Sequence, residues 1–138
     1  MIVREIHAAN YRSLRSIRFP TGRLTVFVGA NGVGKTNLYR ALQLLQASAA
    51  GTLARELAGE GGMESAFWAG KRRAGDAARI TLSVGFGAPA EKGILYAYEV
   101  EIGVPSPGGP GAFPLEPAVK EETLLFHHLR SARPPHRT

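Results

Sequence analysis

The chain has no cysteine, which excludes a disulfide framework, a thiolate metal site and a thiol nucleophile. Aspartate is nearly missing too: of 11 acidic residues, ten are glutamate and Asp76 is the only aspartate. No stretch approaches the ~18 consecutive apolar residues of a membrane span. Arg4 and Glu5 interrupt the opening Met1-Ile2-Val3, so the apolar segment of a secretory signal is not there. These absences lead us to expect a soluble, cytoplasmic protein with no membrane partner. The length of 138 residues suits one domain, and 44% hydrophobic against 20% charged content excludes wholesale disorder.

What is there is basic. Lysine and arginine total 17, for a formal net charge of +6. Arg4, Arg12, Arg15, Arg18 and Arg23 precede residue 24 with only Glu5 opposing them. Lys71-Arg72-Arg73 forms a second patch, and Arg130, Arg133 and Arg137 a third. Such a balance suits polyanions, either nucleotide phosphates or a nucleic-acid backbone. A solvated basic surface is the plain alternative.

Periodicity predicts strands at both ends of the chain and a helix between them. Ile2, Arg4 and Ile6 alternate with Val3, Glu5 and His7, and the pattern resumes at Ile17 and Phe19 before a turn at Pro20-Thr21-Gly22. Leu24-Thr25-Val26-Phe27-Val28 is a nearly continuous apolar run, expected as a strand buried on both faces, as in a parallel sheet. From Lys35 a helix is expected, with Leu38, Ala41, Leu42, Leu45 and Ala49 on its apolar face and Gly51 as its stop. Residues 53–57 read as a helical turn and residues 59–62 as loop. Residues 80–86 and 94–102 alternate with a period of two, the pattern of antiparallel strands with one wet face. Nine of the fifteen residues 103–117 are Pro or Gly, which predicts a flexible loop, and a last strand is expected near residues 119–126.

The chemistry sits in Gly29-Ala30-Asn31-Gly32-Val33-Gly34-Lys35-Thr36. This is the P-loop pattern, two glycines five apart followed by Lys and Ser/Thr, lying between an apolar run and an amphipathic helix. Several backbone N–H groups must turn inward around a polyphosphate, and glycines allow that curl. The helix beginning at Lys35 adds its unpaired N–H groups and the positive end of its dipole. Lys35 would reach the β- and γ-phosphates, and the Thr36 hydroxyl would ligate Mg²⁺.

Together with Asn10-Tyr11-Arg12-Ser13-Leu14, about twenty residues upstream, the extended form ending in Lys35-Thr36-Asn37 carries a family likeness. The chain resembles the N-terminal lobe of ABC-type P-loop ATPases of the RecF, SMC and OLD group, closest to its bacterial AAA-like members. The likeness runs over residues 2–127 and is densest through Asn37. It implies an α/β partial P-loop NTPase fold: strand, P-loop and helix, plus an antiparallel β subdomain. On that basis residues 1–127 would be the ATPase lobe and residues 128–138 a disordered basic tail. It implies Mg²⁺ and ATP at Gly29, Ala30, Asn31, Gly32, Val33, Gly34, Lys35, Thr36 and Asn37, with Arg12 near the phosphates. In that family the nucleotide is buried between two heads, so a head-to-head dimer, and DNA or a protein partner, are implied as well.

Hydrolysis needs more than a cradle: a Walker B Asp after an apolar strand and a group that positions water. Asp76 precedes a strand instead of ending one, and Glu99 and Glu101 fall on the polar phase of theirs. Leu57-Ala58-Gly59-Glu60-Gly61-Gly62 is only a superficial likeness to the signature motif, and Gln43 and Gln46 lie on the P-loop helix. We therefore expect a truncated, amino-terminal part of an ATPase that binds ATP without hydrolysing it, with no catalytic residue assigned. The alternative is a DNA-, polyanion- or partner-binding fragment without nucleotide-dependent activity. A GTPase reading lacks an Asn-Lys-x-Asp segment. His127, His128 and His136 lack suitably spaced partners for a metal site, and Phe67 and Trp68 are expected as core or interface residues.

Overall fold

Alternation of apolar and polar residues builds one antiparallel sheet of five strands in the order β2-β1-β3-β4-β5. The computed structural model describes residues 1–71, 78–90, 93–105 and 115–127. The strands are β1 (Ile2–Tyr11), β2 (Leu14–Pro20), β3 (Arg79–Gly87), β4 (Tyr96–Gly103) and β5 (Ala118–Phe126). Among the described residues three helices, α1 (Lys35–Ala49), α2 (Leu53–Gly59) and α3 (Gly62–Ala66), run between β2 and β3.

Register decides which residues face the helices. Ile6 lies opposite Val84 and Ala8 opposite Leu82, while Val100 and Ile102 lie opposite Leu82 and Ile80. Ala8, Ile80, Leu82, Val84, Val100 and Ile102 form one buried cluster with Leu44, Leu45, Leu57 and Met63 of the helices, and Ile6 is buried too. Burying each large aliphatic side chain contributes about 1.5–3 kcal/mol, so this row fixes the helical layer on the sheet. The opposite phase carries Glu5, His7, Ser83, Glu99 and Glu101. Glu99 and Glu101 thus stand on the polar face, as their alternation predicts.

The expected elements shift slightly. On α1 the fully buried positions are Leu38, Ala41, Leu44, Leu45 and Ala47. Leu42 is half-buried and Ala49 exposed, so the inner face is rotated from the expected one. Gly51 follows the helix with φ 73°, the left-handed stop expected of it. Residues 59–62 are not one loop: Gly59 ends α2, and Gly62 opens α3 after a turn at Glu60 and Gly61.

The larger departure is at residues 24–28. They join no ladder, and Leu24, Val26 and Val28 are 85%, 72% and 92% exposed. A strand buried on both faces needs a neighbour along each edge, and none of the described residues pairs with this one. Phe27 meets the edge of Phe19 on β2 at 5.0 Å between ring centres, and Thr25 Oγ1 accepts from the Gly22 N–H at 3.0 Å. Asp76, Arg72, Arg73, the centre of the Pro/Gly loop and the tail with His128, His136 and its three arginines lie outside the described residues.

Candidate phosphate-binding site

Two glycines set the turn from the exposed segment into α1. Gly32 has φ 87° and Gly34 φ 101°, conformations that cost an L-residue with a side chain about 1–2 kcal/mol. Gly34 is also the residue before the helix, which begins without a side-chain cap. The first-turn N–H groups are therefore left to whatever the loop encloses. Asn31, Gly32, Gly34, Lys35, Thr36 and Asn37 line a recess of about 180 Å³ there, and Ser13 closes it from the sheet. The structure brings the expected cradle residues together, apart from Gly29, Ala30 and Val33, which are not among the recess's lining residues.

Lys35 turns its ammonium onto the carbonyls of Gly29 and Ala30, the second at 2.7 Å. Those carbonyls hold the charge at the mouth of the loop, and a phosphate could replace them as acceptor. Asn37 donates from Nδ2 to Ser13 Oγ at 2.8 Å. Among the described residues no group of three His, Asp or Glu side chains is placed to hold a metal ion. Thr36 would offer a single oxygen, which suits Mg²⁺ that keeps waters and phosphate oxygens as its other ligands.

Arg12 is placed differently from the expectation. It occupies the two-residue turn between β1 and β2, with φ 50°. Its guanidinium pairs with Glu60 Oε2 at 3.0 Å and also donates to the Glu60 carbonyl at 3.2 Å. Tyr11 Oη donates to the same carboxylate at 2.7 Å. Burial and then the bond to Glu60 push the Tyr11 phenol well above its ordinary value. For Arg12, burial lowers the pKa, but the bonds to Tyr11 and Glu60 outweigh it and the net direction is up. Arg12 lines a neighbouring cavity instead of the recess itself; its neighbour Ser13 lines both.

Three of the other early arginines are engaged as well: Arg18 pairs with Glu5 at 2.6 Å, Arg4 donates to the carbonyl of Ala88 at 2.6 Å, and Arg15 lies 5.4 Å over the Trp68 ring. Arg15, Arg18 and Arg23 nevertheless remain exposed.

Sequence reasoning missed the strip at residues 66–69. Arg12 N–H donates to the Ala66 carbonyl at 2.8 Å, Trp68 N–H to the Asn10 carbonyl at 2.8 Å, and Ala69 N–H to the Arg12 carbonyl at 3.2 Å. Phe67 bridges to Tyr11 and packs on the core, as expected of it. No local pattern announces this strip, because its bonds go to a turn more than fifty residues away.

A profile of the family described as "AAA domain, putative AbiEii toxin, Type IV TA system" matches residues 24–123. A protein called OLD nuclease from Thermus scotoductus (strain ATCC 700910 / SA-01) is 41% identical over 44 residues. That match covers 32% of this chain and 8% of the relative. No described helix is long and apolar enough to cross a membrane.

Proposed function

The chain belongs to this AAA-domain family, and from that premise we propose that it binds Mg²⁺–ATP through residues 29–37, as the nucleotide-holding lobe of an ATPase. The observation that carries the reading is the recess at the start of α1, where Gly32 and Gly34 turn the backbone and Lys35, Thr36 and Asn37 line one small volume. Backbone N–H groups and the Lys35 ammonium would hold the β- and γ-phosphates, and Thr36 would hold Mg²⁺. The metal supplies charge neutralisation between the phosphates.

The finer reading is an ABC-type head of the RecF, SMC and OLD group, with residues 1–127 as its first lobe. Hydrolysis would then draw on an acid and a signature motif not assigned in this chain. A head-to-head dimer, coupling to DNA or a protein partner, and a cytoplasmic location belong to the same proposal. Calorimetric titration of Mg²⁺–ATP tests it. Lys35→Ala should abolish measurable binding while leaving the circular dichroism unchanged. Equal affinity in both proteins would sink the reading. DNA binding that survives Lys35→Ala and weakens steeply with salt would instead support the chain as a polyanion binder.

A further inference from the structure

The sheet ends at β5, which has β4 on one side and no strand among the described residues on the other. Exposed sheet edges are ordinarily guarded, often by charge, against pairing with other chains. β5 carries that guard only in its first half, at Lys120, Glu121 and Glu122. Its second half, Leu124-Leu125-Phe126, is 70%, 49% and 61% exposed. The ladder also fixes which backbone groups point outward. His127 N–H donates to the Leu95 carbonyl at 2.8 Å, and alternate residues of an antiparallel strand bond to the same neighbour. Thr123 and Leu125 therefore bond toward β4, while the backbone groups of Glu122, Leu124 and Phe126 turn to the outer edge.

We propose that this edge pairs with the same edge of a second copy of the chain, antiparallel, about a two-fold axis at Leu125. A segment that meets itself about such an axis is self-complementary by symmetry. In this register Leu125 faces its counterpart, and Phe126 of each copy faces Leu124 of the other. Leu124 and Phe126 lie on the helix-bearing face, opposite Tyr98 and Tyr96 of β4, and Leu125 lies on the reverse face. Apolar contact therefore forms on both sides of the joined sheet. The Phe126 ring rests 5.1 Å from that of Tyr96, which restricts it before pairing. Other registers are penalised. With the axis at Leu124, Phe126 faces Glu122. With the axis at Thr123, Leu124 faces Glu122 and Leu125 faces Glu121. With the axis at Glu122, two carboxylates face each other, and like charges directly opposite are destabilising. Sliding the other way carries Leu124 past the end of the strand at Phe126. The acidic half of β5 thus sets the register and the apolar half supplies the contact. Such a pair closes at two copies. It is independent of the nucleotide reading, because the phosphate recess adjoins the β1–β2 turn and β2 is the opposite edge of the sheet.

The chain has no cysteine, so a single introduced thiol reports one distance. Leu125→Cys sets two thiols across the axis, where facing residues have Cα atoms about 4.5 Å apart, within reach of a disulfide. Thr123→Cys, on the same face, separates them by four residues along the strands, about 14 Å, beyond that reach. Under mild oxidation of the full chain, Leu125→Cys should form a covalent dimer roughly tenfold faster than Thr123→Cys, or more. Equal rates, which association through any other surface would give, overturn the proposal, and so does faster crosslinking of Thr123→Cys. Sedimentation equilibrium measures the pairing itself. The wild-type chain should dimerise with a dissociation constant on the order of 10 µM, as suits a contact below the standard interface size. Leu125→Lys brings two ammonium groups together at the axis and should weaken the dimer about tenfold or more, with circular dichroism unchanged. A wild-type chain that stays single across a concentration series bracketing the expected constant overturns the proposal, as does a Leu125→Lys protein that dimerises equally well. Where Leu125→Lys does not fold, the wild-type series and the two cysteine variants decide the matter.

Discussion

Asn37 in the first turn of α1 donates to Ser13 Oγ on the β1–β2 turn at 2.8 Å, and a side chain on Gly34 would sit 3.0 Å from that same oxygen. The β1–β2 turn thus touches the P-loop through the Ser13 hydroxyl. Ser13→Ala removes a hydrogen bond worth about 1 kcal/mol, and Mg²⁺–ATP should bind roughly fivefold more weakly. Gly34→Ala adds the strain of φ 101° and crowding against Ser13, so its loss should be larger. Calorimetry on both variants checks the order. Unchanged binding in Gly34→Ala would show that the cradle does not need its left-handed turn.

The Tyr11–Glu60–Arg12 group joins the β1–β2 turn to the end of α2. Side chains of Arg12 and Glu60 are only 19% and 15% exposed, so removing the carboxylate strands two donors away from water. Glu60→Ala should lower unfolding stability by about 1–3 kcal/mol, measured by urea denaturation. Glu60→Gln keeps an acceptor for Tyr11 and should lose less. A Glu60→Ala protein as stable as the wild type would mean that water replaces the carboxylate freely.

The same group sets a limit at high pH. Burial and the bond to Glu60 raise the folded Tyr11 pKa above its ordinary 10.0. The unfolded chain therefore loses this proton first. Its contribution to stability is complete below pH 10 and is lost as pH climbs above that value. Ultraviolet titration of the folded protein should show a phenol that resists ionisation past pH 10, and Tyr11→Phe should delete it. A titration curve identical in the two proteins contradicts the placement.

Much of this arrangement is written locally. The alternation of Ile80, Leu82, Val84 and Phe86 specifies both a strand and its buried face, and the glycine spacing specifies the turn into α1. Residues 24–28 show where local reading fails. Their β-branched, apolar composition states a preference for a doubly buried strand, but composition carries no information about which neighbour supplies the ladder. The strip at residues 66–69 is illegible for a related reason: its backbone bonds run to Asn10 and Arg12, across the whole of α1. Arg12 shows a third kind of gap: its ion pair with Glu60 joins residues far apart in the chain, which no local pattern announces.

His7 lies on the polar face of the sheet, where burial and then Arg18 lower its pKa while Glu99 and Glu5 act in the opposite sense. A lowered folded value means that the unfolded chain takes up the proton first. The stability contributed by neutral His7 is complete above the ordinary 6.5 and falls as pH drops through the folded value. Urea midpoints should decline as pH falls below 6.5, and His7→Gln should flatten that decline. An identical slope in the variant would assign it to other groups.

Leu24, Val26 and Val28 present an apolar edge, 85%, 72% and 92% exposed, that no strand among the described residues pairs with. Such an edge is a template for pairing with another chain. The 138-residue chain should therefore self-associate as its concentration rises, seen by light scattering and by binding of a hydrophobic dye. Val26→Thr with Val28→Lys places polarity and charge on this edge and should reduce both signals. Neither residue lines the phosphate recess, so the affinity for Mg²⁺–ATP should persist in the double variant. Association that is unaffected by the substitutions would move the sticky surface to β5, where Leu124 and Phe126 are 70% and 61% exposed. Leu124→Lys then becomes the variant that abolishes it, and the two surfaces are separated by a single series of scattering measurements.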